Sequence, residues 1–321
     1  MTATPDRPVS RPLLFASIPP RTQGIPFTPE DRSNAQAETV RSWIRAGFQP
    51  VAVTAADEAA RHPELAAALQ SCGAEWCVCP RPNGPAAAAP LVPIVDLLRI
   101  MRVRAVDAPV AITNADIDFA SSSGQELAAR VEALADGEYL LGQRTDMSRG
   151  VEGWERLGVF AHGFDFVAFR GAWIDRIAGL LSPDLQLGRP WWDHYLPLAL
   201  IAAGAETRLL HPGWFRHAVH DNRWNRRHYH QIGRAAAAHF REALRSGGDP
   251  PGGRDWRRVG EREITLPGVP PQLTGPLYRL GMRRAAPAVV ATALLNRLAS
   301  AHMRLILQTA WSSPAPPPPL D

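Results

Sequence analysis

Short apolar runs alternate with helix-spaced segments through the first 145 residues, and this alternation limits the fold more than any other feature. The runs are residues 13–18 (LLFASI), 50–55 (PVAVTA), 75–79 (EWCVC), 109–113 (PVAIT) and 138–143 (EYLLGQ). Between the first two, Thr28 can cap a helix, Pro29 suits its first position, and Ala37, Val40 and Ile44 recur at helical spacing until Gly47. Further helices are expected at Pro63–Cys72, Leu91–Val103 and residues 124–135. Strand alternating with helix predicts a mostly parallel sheet covered by helices on both faces. Right-handed crossovers then gather the loops after the strands on one edge, where ligands bind.

The regularity changes after Arg144. A loop is expected over 145–156, a long strand-like stretch from Leu157 to Arg170, a helix near 172–180, a Trp-rich helix from Pro190 to Ala203 and a short strand at 207–210. Residues 211–230 hold five of the histidines. The expected organisation is a flexible N-terminus (1–12), a main domain (13–247), a linker and helical extension (248–311) and a disordered Pro-rich tail (312–321). In the terminal helix, 287–311, Asn296, Ser300, Arg304 and Gln308 fall opposite Leu294, Leu298 and Leu305. That pattern suits docking against the main domain, with contact to a membrane surface or a partner as the alternative.

At 45% hydrophobic and 21% charged residues the chain has the composition of a folded globular protein. The net charge of +4 is not a nucleic-acid footprint: all 35 basic residues are Arg, dispersed among acids. It could still favour anionic, phosphorylated substrates. No apolar window approaches the ~20 residues of a membrane span, and no secretory h-region is visible. Cys72, Cys77 and Cys79 make an odd count, which suits free thiols in a reducing, cytoplasmic compartment.

Four segments could carry chemistry. Asp116 and Asp118 follow the apolar run 110–113, and carboxylates at the carboxyl edge of a parallel sheet can hold a hard divalent cation against a diphosphate. Asp165 stands among aromatics in Gly163–Arg170, where burial demands a partner; Arg170 is one candidate. Trp191 and Trp192 offer flat faces for a sugar, and Asp193 lies in the first turn of a helix, where a carboxylate could serve as general base. His217, His220 and Asp221 could ligate a metal or form a polar surface.

In this order, Asn114–Ile117, Gly163–Phe169, Gly188–Asp193 and His217–Asp221 resemble the GT-A-type glycosyltransferases, which use nucleotide-diphospho-sugar donors. The resemblance covers roughly residues 10 to 230 and is nearest to a little-described group within that superfamily. It implies a GT-A-like α/β fold, a mostly parallel sheet flanked by helices, with a helical C-terminal extension. It also implies Mn2+ or Mg2+ held by Asp116 and Asp118, with His220 or His217 as a further ligand. Ser17 to Arg21 and the pair Asp57-Glu58 fall where the superfamily binds the nucleoside, and Arg144 where it could meet phosphate. Asp193 falls at the acceptor-side base, beside a pocket of Asp165, Trp191 and Trp192.

The reading is therefore a metal-dependent glycosyltransferase acting on an acceptor hydroxyl of a glycan or another molecule. Two alternatives stand beside it: a metal-dependent hydrolase on His217, His220 and Asp221, and a non-catalytic nucleotide- or glycan-binding module. A nucleotidyltransferase is disfavoured, because no G-G-x-G-T-R-L start follows the first strand.

Overall fold

The computed structural model describes residues 11–18, 29–80, 91–120, 126–150, 153–160, 163–219, 226–246 and 288–311. The strands are β1 (Leu13–Ser17), β2 (Gln49–Ala55), β3 (Glu75–Cys79), β4 (Pro109–Thr113), β5 (Ile117–Phe119), β6 (Glu138–Gly142), β7 (Thr145–Gly150), β8 (Gly153–Val159), β9 (Phe166–Arg170), β10 (Glu206–Leu209) and β11 (Phe215–Ala218). The helices are α1 (Pro29–Arg45), α2 (Ala56–Arg61), α3 (Pro63–Ser71), α4 (Ile94–Arg104), α5 (Glu126–Glu132), α6 (Ile174–Ile177), α7 (Trp192–Ala202), α8 (Arg226–Ser246) and α9 (Ala288–Trp311).

A seven-stranded sheet runs in the order β10-β6-β9-β4-β1-β2-β3. Every pairing is parallel except those of β9, which lies antiparallel between β4 and β6. This is the expected mixed α/β architecture, and the reversed strand has a consequence for the site. Thr113 and Gly142 both register against Phe166, so the start of β9 meets the ends of β4 and β6 at one edge.

Strand alternation sorts the core into two layers. Phe15, Val110, Ile112, Tyr139, Leu141, Val167 and Phe169 pack beneath residues of α4, α6, α7, α8 and α9. Leu14, Ala16, Ala111, Leu140, Phe166 and Ala168 face the layer built from α1, α3 and α5.

The expected long strand Leu157–Arg170 is in fact two strands in different sheets. The expected loop 145–156 belongs to a hairpin: β7 and β8 pair antiparallel, in a four-stranded sheet ordered β5-β11-β7-β8. β7 carries the polar Thr145, Asp146 and Ser148 and β8 exposes Glu155 and Arg156, so neither has the apolar run that marks the main sheet. Phe119, Phe166 and Phe215 fasten the two sheets together, with Phe166 and Phe215 stacked 4.9 Å apart. Gly142 is required there, since a Cβ would lie 2.3 Å from the Phe215 ring.

α9 packs on α7, α8 and β10. Asn296, Ser300, Arg304 and Gln308 are exposed as the spacing requires, while Leu298, Met303 and Ile306 are buried. The described apolar residues of this helix thus face inward, as docking against the main domain requires. Among the described residues no helix is long and apolar enough to cross a membrane. Cys72 and Cys77 are half-buried, Cys79 is buried, and all are free thiols.

Candidate active site

The ends of β4 and β6 and the start of β9 bring together an acid-rich cluster. Asp165 is held by its backbone: its N–H donates to the Gly142 carbonyl (3.1 Å), and its carbonyl accepts from the Thr113 hydroxyl (3.0 Å). Its Oδ1 accepts from Asn114 Nδ2 at 2.6 Å and from Arg144 Nη1 at 3.2 Å. Arg144, not Arg170, is therefore the cation that compensates Asp165; Arg170 pairs with Asp136 at 2.9 Å. Arg144 Nε also donates to Asp146 at 2.8 Å, and its guanidinium lies 3.9 Å from the Phe160 ring centroid.

The small sheet delivers His217. Its Nδ1 lies 3.0 Å from Asp146 Oδ1 and its Nε2 3.4 Å from Asp116 Oδ2. Asp116 thus points into the cluster. Asp118 does not take part in that pairing; its Oδ1 accepts from the Thr39 hydroxyl of α1 at 2.6 Å. Asp118 registers against the exposed Arg216, whereas its neighbours Ile117 and Phe119 are buried. Burial nevertheless raises the Asp118 carboxyl, against the Thr39 hydrogen bond that lowers it.

Asp193 enters from the other side, in the first turn of α7. Its Oδ1 accepts from the Trp191 N–H at 3.1 Å, and its Oδ2 occupies the space over Gly163, where a Cβ would stand only 1.9 Å away. The same hypothetical Cβ would lie 3.5 Å from the Phe160 ring, so Phe160 and Asp193 share the gap left by Gly163. Asp193 keeps partial exposure, yet desolvation raises its carboxyl to about 8, with nearby Asp165 adding to the rise. Desolvation likewise raises Asp165, opposed by Arg144. Arg144 itself is raised: desolvation acts against its charge, but Asp165 and Asp146 outweigh it.

Several expected site residues have other work. Trp191 and Trp192 each keep 1% exposure, so neither can present a face to a sugar. Their large apolar rings are drawn into the core instead, as the hydrophobic effect dictates. Ser17 ends β1 at the expected edge, but its hydroxyl accepts from the Val92 N–H at 3.2 Å. Asp57 sits in the first turn of α2 and pairs with Arg61 at 2.9 Å. Arg21, His220 and Asp221 lie outside the described residues.

The fit of a divalent cation can be tested on the donor set. Asn114 Oδ1 and Asp165 Oδ2 are buried oxygens without a hydrogen-bond partner among the described residues, so the cluster favours a positive charge or a donor. Among the described residues, however, no three His, Cys, Asp or Glu side chains come together in a way that could hold a metal. Asp116 suits a ligand role; a complete set would need atoms beyond those described, and no catalytic step is derived through a metal.

Asp146 and Phe160 are site residues to which the sequence reading gave no role, and Gly163 opens the Gly163–Phe169 motif without a role of its own there. The alternation Arg144-x-Asp146 was the available signal, since it puts both charges at the start of β7 on one side of the chain.

No protein-family model and no curated protein matches the chain. Among solved structures, a protein assigned as a glucose-1-phosphate thymidylyltransferase from Bacillus anthracis, in complex with a sucrose, aligns with 64% of this chain and 88% of its own. The identity is 10% and the TM-score 0.39.

Proposed function

We propose that this chain is a glycosyltransferase that moves a sugar from a nucleotide-diphospho-sugar to an acceptor hydroxyl. The observation that carries the reading is Asp193: a carboxylate at the carboxyl edge of the sheet, held against Gly163 beside Asp165 and Arg144, with its affinity for a proton raised to about 8. Once ionised, such a group takes up a proton more strongly than an ordinary aspartate, as a general base must. The acceptor O–H gives its proton to Asp193 while the oxygen lone pair forms the bond to the anomeric carbon. The bond from that carbon to the diphosphate oxygen breaks, and its electron pair leaves with the diphosphate.

Arg144 contributes positive charge at the same edge, where fixed charge acts strongly on a reacting group. Ser17, Arg21 and Asp57 are the residues proposed for the donor's nucleoside side. Bound Mn2+ or Mg2+ would supply charge to the leaving diphosphate, with Asp116, Asp118 and His220 as the proposed ligands.

The test is a panel of UDP- and GDP-sugars, read by thermal shift and by transfer with and without Mn2+. Asp193→Asn is expected to keep the donor-induced shift and lose turnover by roughly 10²–10⁴-fold, the usual worth of general-base catalysis. Loss of donor binding in that variant would remove the base assignment. In the wild type, kcat/KM should rise with pH and level off above about 8, as the carboxyl ionises. Asp116→Asn should lose the Mn2+-dependent part of donor binding; an unchanged Mn2+ response would remove the metal.

A further inference from the structure

Trp191 is the one non-glycine residue with a left-handed backbone among the described residues, at φ 86°. That conformation costs on the order of 1–3 kcal/mol and persists only where the surroundings enforce it. A helix-capping residue ordinarily has an extended backbone. Here the twist at the head of α7 turns the Trp191 N–H onto Asp193 Oδ1.

The enforcing contacts come from late in the chain. Indole Nε1 donates to the Tyr229 carbonyl of α8 at 3.0 Å. The Tyr229 ring lies over the indole at 4.9 Å between centroids. Gly233, one turn further along α8, lets the helix backbone approach: a Cβ there would stand 2.7 Å from Cε2 of the indole. From α9, the buried His302 ring meets the indole edge-on at 6.4 Å, and His194 and Tyr195 of α7 close the remaining side. Asp193 is thus fixed twice, by the Trp191 N–H on one oxygen and by the Gly163 gap on the other.

We propose that α8 and α9 form a clamp on the Trp191 indole that sets the position of Asp193, making Tyr229 and Gly233 positioning residues for the proton transfer. The proposal rests on Asp193 being the base of the reading above. It gives the C-terminal helices a catalytic purpose beyond packing. Loosening the clamp lets residue 191 relax to an ordinary backbone, withdraws its N–H from Asp193 and opens the carboxyl to water.

The test uses the full chain labelled with 13C at the aspartate side-chain carboxyl. Asp193 is identified as the resonance missing from Asp193→Asn, and its titration is followed by NMR in Tyr229→Leu and Gly233→Ala. Tyr229→Leu keeps the backbone carbonyl and removes the ring; it decides alone if Gly233→Ala does not fold. The expected result is a midpoint moved down by a unit or more from the wild-type value, with circular dichroism unchanged. With a competent donor and acceptor, kcat should fall about tenfold or more while the donor KM holds. Folded variants with the wild-type Asp193 midpoint and kcat would overturn the clamp. The base assignment fails separately: it falls if Asp193→Asn retains turnover, whatever the titration shows.

Discussion

Asp165, buried, and Asp193, partly exposed, are carboxylates at the same end of the sheet, and they are held by different partners. Asp165 is fixed by its own backbone on two strands and receives Arg144 and Asn114 on Oδ1. Asp193 receives the N–H of Trp191, and no cation pairs with it among the described residues. Desolvation raises both and Arg144 works against the rise at each, but it is the largest further influence at Asp165, whereas at Asp193 that place is taken by Asp165, which adds to the rise. A carboxylate that receives both a cation and an amide is anchored and holds structure. One held by a single N–H next to a strained residue suits the proton exchange proposed for it.

Removing the cation should break this contrast most severely. In Arg144→Leu, Asp165 and Asp146 lose their shared partner at a site where Arg144 is only 18% exposed. Deleting one member of a buried pair costs about 3–5 kcal/mol, and the lower end applies here because Asp146 keeps some solvent. At ~2–4 °C per kcal/mol for a domain of this size, the melting temperature should drop by about 6–12 °C. Calorimetry checks this. A wild-type melting temperature would show that Asp165 does not depend on its cation.

Asp193 should respond in the other direction. Its folded proton affinity, at about 8, lies above the ordinary aspartate range near 3.8. Between those two values the folded chain holds a proton that the unfolded chain has released. Stability therefore falls as pH rises through that window and levels off above about 8. Asp193→Asn removes this loss. The variant should melt higher than the wild type at pH 8–9 and close to it at pH 4–5, while losing transfer. A variant less stable at every pH would mean that the carboxylate is held for structure, as Asp165 is.

The main sheet was legible because strands buried on both faces leave unbroken apolar runs. Glu75–Cys79 and Pro109–Thr113 coincide with the expected strands, and β1, β2, β6 and β10 differ at their ends by a residue. The second sheet was not legible. Thr145–Gly150 opens on polar Thr145, Asp146 and Ser148, Glu155 to Leu157 of the next strand are exposed, and Phe215–Ala218 is too short to show a period. Asp193 could be found because its helix start is marked by Gly188 and Pro190. The fate of Trp191 and Trp192 could not. An aromatic pair reads as a sugar platform or as core alike, and the contacts that decide it lie on α8 and α9, more than thirty residues further along. Asp165 was recognisable as needing a partner, but Arg144 becomes available only once β6 and β9 are paired.

The smallest expected effect concerns Asp118, which stands outside the cluster that holds Asp165. Its structural bond comes from the Thr39 hydroxyl, a donor that an amide oxygen accepts equally well. Asp118 is exposed on its strand, so a neutral isostere leaves no buried charge or buried polar group without a partner. Asp118→Asn should therefore change stability by less than about 1 kcal/mol, within the usual range of one neutral hydrogen bond. Because the fold is undisturbed, donor binding in this variant reports the carboxylate's charge alone. A fall in Mn2+-supported donor binding with an unchanged melting temperature would make Asp118 a ligand beside Asp116. Unchanged Mn2+ response in Asp118→Asn, with a loss in Asp116→Asn, would confine the cation to the side of the cluster that carries His217 and Asp146.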